Sequence, residues 1–192
     1  MAKFILASAS PRRKEILENA GYSFEIIVSD VDENITEDLS PEETVEELAK
    51  RKALSVWKSN KDAVVFGCDT VVAIDGKILG KPIDDEDAFD MLRMLSGKTH
   101  TVSTGVCICS ENKTEIFSNT TQVEFYPLSD ETIRSYIASG EGRDKAGSYG
   151  IQGYGRVLVK EIKGDYFSVM GLPVSESARV LAGFGVYGKV SL

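Results

Sequence analysis

An apolar run, Phe4-Ile5-Leu6-Ala7, gives way to Ser8-Ala9-Ser10-Pro11-Arg12-Arg13. A stretch from Lys14 to Ala20 follows, in which Ile16, Leu17 and Ala20 recur at helical spacing. This order commits the first twenty residues to a strand, a hydroxyl-rich turn and a helix. Ser10 carries the side-chain oxygen that caps a helix start, and Pro11 has the fixed φ that suits the first helical position. The free backbone N–H groups at such a helix start attract an anion. Arg12 and Arg13 add forked cationic donors, and Ser8 and Ser10 add neutral ones. Together these residues read as a grip for a polyphosphate. A capped surface helix with solvated arginines is the competing reading.

Strand and helix patterns keep alternating along the chain, which points to the α/β class. Tyr22 to Ser29 is expected as a second strand, followed by an acidic loop from Asp30 to Leu39. Ser40-Pro41-Glu42-Glu43 has the signature of a capping box and opens a helix that runs to about Trp57. Ala63 to Ile74 is rich in β-branched residues and turns at Asp75-Gly76 into Lys77-Ile78-Leu79. Asp84 to Leu95 reads as an amphipathic helix ended by Gly97. Two long antiparallel strands, Thr99 to Cys109 and Glu115 to Tyr126, are expected around Glu111-Asn112, and a short helix from Ser129 to Ala138. Residues 140–155 hold six glycines in sixteen positions, interleaved with charged, aromatic and amide side chains, so they read as a shaped loop rather than a linker. A hairpin is expected from Arg156 to Ile162 and Tyr166 to Val169 about Lys163-Gly164, then a last helix through Phe184. No repeat and no clean boundary interrupts residues 1–192, which are read as a single domain; two lobes around a cleft are compatible with this.

The formal net charge of −8 argues against nucleic acid as a partner, since such proteins carry a basic footprint. A local cluster of Arg and Lys can still set a favourable field for a small anion. No apolar run reaches the length of a membrane span and no secretory leader is expected. The three cysteines, Cys68, Cys107 and Cys109, lack the spacing of a disulfide framework and suit a reducing, cytoplasmic setting. Cys107 and Cys109 flank Ile108 in a strand and read as small core residues on one face rather than a metal pair. His100 is the sole histidine, so a multi-His zinc site is hard to assemble, and it reads as structural.

Asp69 is the second focus. A carboxylate inside Val64-Val65-Phe66-Gly67-Cys68-Asp69-Thr70-Val71-Val72 is costly unless paired or bound to a metal. Gly67 beside it implies close approach of another group. An Asp at a strand end held by backbone donors is the alternative. Lys52 and Lys81, taken singly, read as surface lysines able to meet a phosphate. Asp30, Asp32 and Glu33 read as a solvated acidic loop or as part of a carboxylate set around Mg²⁺. No Walker-type phosphate loop, kinase signature or dinucleotide fingerprint is present.

In order along the chain, the sequence resembles the Maf family of nucleotide pyrophosphatases, named for septum-formation inhibition. The resemblance runs through Leu6 to Arg13, Asp32-Glu33, Lys50-Arg51-Lys52-Ala53, Gly67 to Val72, Gly80-Lys81-Pro82, Leu95 to His100, Asp144 to Gly153, Gly164-Asp165-Tyr166 and Val169 to Pro173. It implies a fold like that of the inosine-triphosphate pyrophosphatases: a long mixed β-sheet with flanking helices, two lobes around a central cleft, in a homodimer. It implies hydrolysis of a nucleoside triphosphate to monophosphate and pyrophosphate with a divalent cation, Mg²⁺ first, with Mn²⁺ or Co²⁺ as alternatives. The run from Ala146 to Gly153 resembles the branch acting on dTTP and UTP. Asp69 would be the base that takes a proton from water. Ser8, Ser10, Arg12, Arg13, Lys52 and Lys81 would hold phosphates. Arg12, Thr70 and Gln152 would choose the base, and the Gln152 amide matches the imide edge of uracil or thymine. Glu33, or Asp32 in its place, would join Asp69 at the metal. Cys68 stands where the family commonly has Ala, a small-for-small exchange. A non-catalytic nucleotide sensor acting in cell division and a phosphatase releasing inorganic phosphate are the alternatives.

Overall fold

The structure, a computed structural model, describes residues 3–36 and 38–190. Glu37 of the acidic loop lies outside the described residues, as do the two residues at each end of the expected domain. The first unit of the chain begins with β1 (Lys3–Leu6) and α1 (Pro11–Asn19). It continues through β2 (Glu25–Ile26) and α2 (Pro41–Trp57) into β3 (Ala63–Ile74). The chain then forms β4 (Lys77–Leu79), α3 (Asp85–Leu95), β5 (Thr99–Cys109), β6 (Thr114–Phe125) and α4 (Asp130–Ala138). It ends with β7 (Val159–Lys163), α5 (Tyr166–Met170) and α6 (Val174–Ala182). The strands form one seven-stranded mixed sheet in the order β2-β1-β3-β5-β6-β7, with β4 also paired to β3. The chain divides into two compact units. One holds the residues up to Asp69, Thr104–Asn119 and those from Gly171 on; the other holds Thr70–Ser103 and Thr120–Met170.

In the first unit β1 runs parallel to both β2 and β3, with Leu6 opposite Phe66. Alternation along β1 sends Ile5 and Ala7 into a core with Ala49, Ala53, Val56, Val65, Cys107 and Cys109. Phe4 lies edge-on to Tyr22, Phe24 and Phe66. The α2 start is the expected capping box: Glu43 N–H donates to the Ser40 hydroxyl at 3.2 Å and Ser40 N–H to the Glu43 carboxylate at 2.9 Å. Two glycines let α2 lie close to the sheet. A Cβ on Gly67 would overlap the Ala49 carbonyl, and one on Gly105 would overlap the Val45 carbonyl. Both obstacles are helix backbone, which cannot swing aside as a side chain can.

In the second unit the Asp75-Gly76 turn has positive φ at both residues, 50° and 76°, the geometry that matches the strand twist of a tight hairpin. Its core joins Val72, Ile74 and Leu79 to Leu92 and Leu95 of α3 and Ile133 and Ile137 of α4, with Phe125 and Tyr149. His100 is structural here: 2% exposed, its Nε2 lies 2.7 Å from the Tyr149 hydroxyl and its ring is edge-on to Phe125. Among the described residues no helix is long and apolar enough to cross a membrane.

Three expectations are corrected. The strand from Tyr22 to Ser29 shrinks to Glu25–Ile26, which pair with Ile5 and Leu6 of β1. The hairpin of Arg156 to Ile162 with Tyr166 to Val169 does not form. Residues 159–163 pair with β6 instead, Lys163 opposite Gln122. Asp165 then caps a helix, its carboxylate accepting the Phe167 N–H at 2.8 Å, so Tyr166 to Val169 are helical. The last helix also stops at Ala182 rather than Phe184.

Candidate active site

Ser8 stands just past the carboxyl end of β1, where ligands bind in open parallel sheets. Its hydroxyl accepts from the Ser10 N–H at 3.3 Å and from Arg13 Nη1 at 3.1 Å. The Ser10 hydroxyl faces the Arg13 N–H at 3.5 Å and caps α1, with Pro11 in the first turn. Arg13 Nε donates to the Gly171 carbonyl at 2.8 Å. The guanidinium is therefore fixed in orientation before any ligand arrives. Arg12 lies beside it in the same first turn, half-buried.

The Gly171 carbonyl also accepts from the Cys68 thiol, at 3.1 Å, which links the Arg13 anchor to β3 one residue before Asp69. Burial pushes the Cys68 thiol up from its ordinary value, against the opposing pull of Arg13, so this cysteine is a neutral packing group. Asp69 itself meets Lys52 of α2, whose Nζ lies 2.5 Å from Oδ1. The same Nζ lies 2.8 Å from Oε1 of Glu33. The side chains of Lys52 and Asp69 are only 10% and 14% exposed, whereas that of Glu33 is 57% exposed. An ammonium so buried is tolerable because it is paired. The close seat of α2 over Gly67 is what brings Lys52 within reach of the strand.

Glu33 reaches this point because Arg51, the residue before Lys52, holds its loop. Arg51 Nη1 donates to the carbonyls of Asp32 and Asn34, at 3.3 and 3.0 Å, and its Nε to Glu47 at 2.9 Å. The Asp32 carboxylate is instead engaged by the backbone and side-chain amides of Asn34, at 2.9 and 2.7 Å. Of the two acidic neighbours, Glu33 is the one that meets Lys52. The result is two carboxylates converging on one cationic centre, beside a hydroxyl-and-guanidinium turn. These are hard oxygen donors, the chemistry that suits Mg²⁺ with phosphate oxygens filling the remaining positions. Among the described residues no three His, Cys, Asp or Glu side chains gather as a ready metal cage. Cys107 and Cys109 are free thiols buried in the α2-side core, as small apolar residues would be.

The remaining sequence-derived candidates lie in the second unit. Thr70 follows Asp69 in β3 and is half-buried; Lys81 is exposed just beyond β4. Gln152 is half-buried and lines a groove of about 410 Å³ with Ile151, Arg156, Val159, Ile162 and Tyr166. Arg156 Nε donates to the carbonyls of Gln152 and Gly153, at 2.5 and 2.8 Å.

The sequence profile of the Maf-like protein family matches residues 3–184. The chain belongs to that family. It is 54% identical over 186 residues to a Bacillus pumilus (strain SAFR-032) protein named dTTP/UTP pyrophosphatase, covering 97% of this chain and 98% of that protein. Proteins of the same name from Bacillus thuringiensis subsp. konkukian (strain 97-27) and Bacillus anthracis are each 52% identical over 186 residues, covering 97% of both chains.

In this Maf-like chain two supporting groups escape a reading of the sequence. The Gly171 carbonyl has no side chain to signal it and lies 158 residues from Arg13. Arg51 is part of a basic triplet, and nothing in the spacing tells that it grips a loop 17 to 19 residues earlier.

Proposed function

We propose that this Maf-like protein hydrolyses dTTP and UTP to the nucleoside monophosphate and pyrophosphate in a reaction that needs a divalent cation. The observation that carries the reading is the convergence of Glu33 and Asp69 on the Lys52 ammonium, next to Arg13 held by Ser8 and Gly171. The names of the relatives at 52–54% identity supply the nucleotide.

Glu33 and Asp69 would hold the cation. When bound, it neutralises phosphate charge and raises the acidity of water, the chemistry typical of such ions. Asp69 accepts the proton of the attacking water, being a carboxylate fixed on a rigid strand. Lys52 is close enough to Asp69 to orient it and has one N–H left for a phosphate oxygen. Arg12 and Arg13, with the Ser8 and Ser10 hydroxyls, stabilise the charge that develops on the leaving pyrophosphate. Lys81 adds a further phosphate contact. Thr70 and Gln152, with Arg12, choose the base. The Gln152 amide offers one donor and one acceptor to the imide edge of uracil or thymine, and in that orientation it is mismatched against the N3 acceptor and N4 donor of cytosine.

The test is a panel of nucleoside triphosphates with Mg²⁺, with and without EDTA, scored for pyrophosphate and for inorganic phosphate. Pyrophosphate released from dTTP and UTP, and abolished by EDTA, is the expected result. Nucleoside diphosphate with free phosphate would place attack at the γ-phosphorus and refute the reading; no turnover of any nucleotide would favour a sensor.

A further inference from the structure

Glu141 has no part in the chemistry above, yet it organises the glycine-rich segment that carries Gln152. Its Oε2 accepts the Tyr154 N–H at 2.5 Å, and its Oε1 accepts the Gly155 N–H and the Tyr136 hydroxyl, each at 3.0 Å. The Tyr136 hydroxyl in turn accepts the Gly150 N–H at 3.0 Å. Tyr154–Val157 is one turn of 3₁₀-helix, and the first N–H groups of such a turn have no partner inside it. Glu141 supplies that partner from 13 residues away. A Cβ on Gly153 would overlap the Glu141 carboxylate, and one on Gly155 would overlap the Gly150 carbonyl, so the tight fold of the segment is built around this one side chain. Burial by itself would raise the Glu141 carboxyl; the N–H groups of Gly155 and Tyr154 and the Tyr136 hydroxyl outweigh it and hold the carboxyl below its ordinary value. Glu141 is therefore an anion at neutral pH.

Gln152 sits between two pinned points, Gly150 on one side and Tyr154 on the other, and Arg156 ties its carbonyl from below the turn. A selecting amide discriminates best when the backbone that carries it stays in one place. We propose that Glu141 is a positioning residue for base selection: by fixing the backbone on both sides of Gln152 it sets the point from which the amide reaches a uracil or thymine ring. The inference rests on the proposal that Gln152 reads the base of a triphosphate substrate. Glu141 touches neither the phosphates nor Asp69, so its removal separates base choice from phosphate chemistry.

The experiment compares wild type, Glu141→Gln and Glu141→Ala for kcat and KM with dTTP and with CTP, and for inhibition by pyrophosphate, which carries no base. Glu141→Gln keeps the size and one acceptor oxygen but cannot accept at both of the positions that the two carboxylate oxygens serve. The ratio of kcat/KM for dTTP over CTP should fall in the order wild type, Glu141→Gln, Glu141→Ala, by up to about tenfold in the last, the loss expected when one oriented polar group no longer meets the base. The loss should appear mainly in the KM for dTTP, with pyrophosphate inhibition unchanged. An unchanged ratio in both variants overturns the proposal, and so does a proportional loss across both nucleotides and pyrophosphate, which would mark a purely structural residue. Should Glu141→Ala fail to fold, Glu141→Gln carries the same test. Failure of the underlying reading shows elsewhere: wild type would release no pyrophosphate, or Gln152→Ala would leave the ratio untouched.

Discussion

The turn from Ser8 to Arg13 and the segment from Gly140 to Arg156 are both polar loops with an amide- or cation-bearing side chain at their centre, but they are held in different ways. The first is held by its own hydroxyls and by one anchor outside it, the Gly171 carbonyl that accepts from Arg13 Nε. Ser10 caps the helix that starts inside the loop, and Arg13 folds back onto Ser8 five residues away. The second is held at a distance, by Glu141 and Tyr136 reaching backbone N–H groups 13 and 14 residues on. The first presents fixed charge beside the Glu33–Lys52–Asp69 cluster; the second presents a neutral amide in a groove. Fixed charge suits phosphate chemistry, where the same group serves every nucleotide. A neutral, oriented amide suits discrimination between bases. On this account activity and selectivity are separable properties of separate regions.

The sharpest way to break that comparison is Asp69→Asn. The substitution keeps shape and removes the proton acceptor, and turnover should fall by roughly 10² to 10⁴-fold for every nucleotide alike. Circular dichroism should match wild type, and near-normal turnover in the folded variant would remove Asp69 from the chemistry.

Next in size is a property of the second unit alone. Burial lowers His100 to about 4 from 6.5, so the folded state favours the neutral ring. The associated stability is fully present above pH 6.5 and is lost as pH falls through that window toward 4. A shift of this size corresponds to about 3 kcal/mol. Urea unfolding at pH 7 and pH 4 should show wild type losing more stability than His100→Gln by about that amount. Equal losses would mean that the ring is not held neutral.

Arg13→Ala tests the grip. A charge-assisted contact contributes roughly 1.5–3 kcal/mol, so kcat/KM should drop about ten- to hundred-fold for dTTP and UTP together. Full activity at limiting substrate would return the turn to a capped surface helix. The smallest effect belongs to Gln152→Ala. It should cut the preference of dTTP over CTP by about tenfold, one unpaired polar group costing about 1–3 kcal/mol, while pyrophosphate inhibition holds. An unchanged preference would place base reading elsewhere.

What could be read in the sequence follows the same division. Ser10, Pro11, Ser40 and Glu43 act within four residues of themselves, and the caps they announce are present. Gly67 announced a close approach, and the helix that fills it is α2, the carrier of Lys52. Alternation placed Cys107 and Cys109 together in the core. What was hidden depends on contacts between distant segments. Of the expected Tyr22 to Ser29 strand only Glu25–Ile26 pair with β1, and Val159–Lys163 pairs with β6 rather than with its own downstream chain. The resemblance favoured Glu33 over Asp32, but its contact with Lys52 was hidden, because that depends on where Arg51 holds the loop. Glu141 carries no local signal either, because its partners are backbone amides.

The central claim, that water attacks the α-phosphorus, is tested most directly by turnover of dTTP in ¹⁸O-labelled water followed by mass spectrometry of both products. The account predicts one labelled oxygen in the nucleoside monophosphate and none in pyrophosphate. Label in pyrophosphate, or in inorganic phosphate, would contradict it.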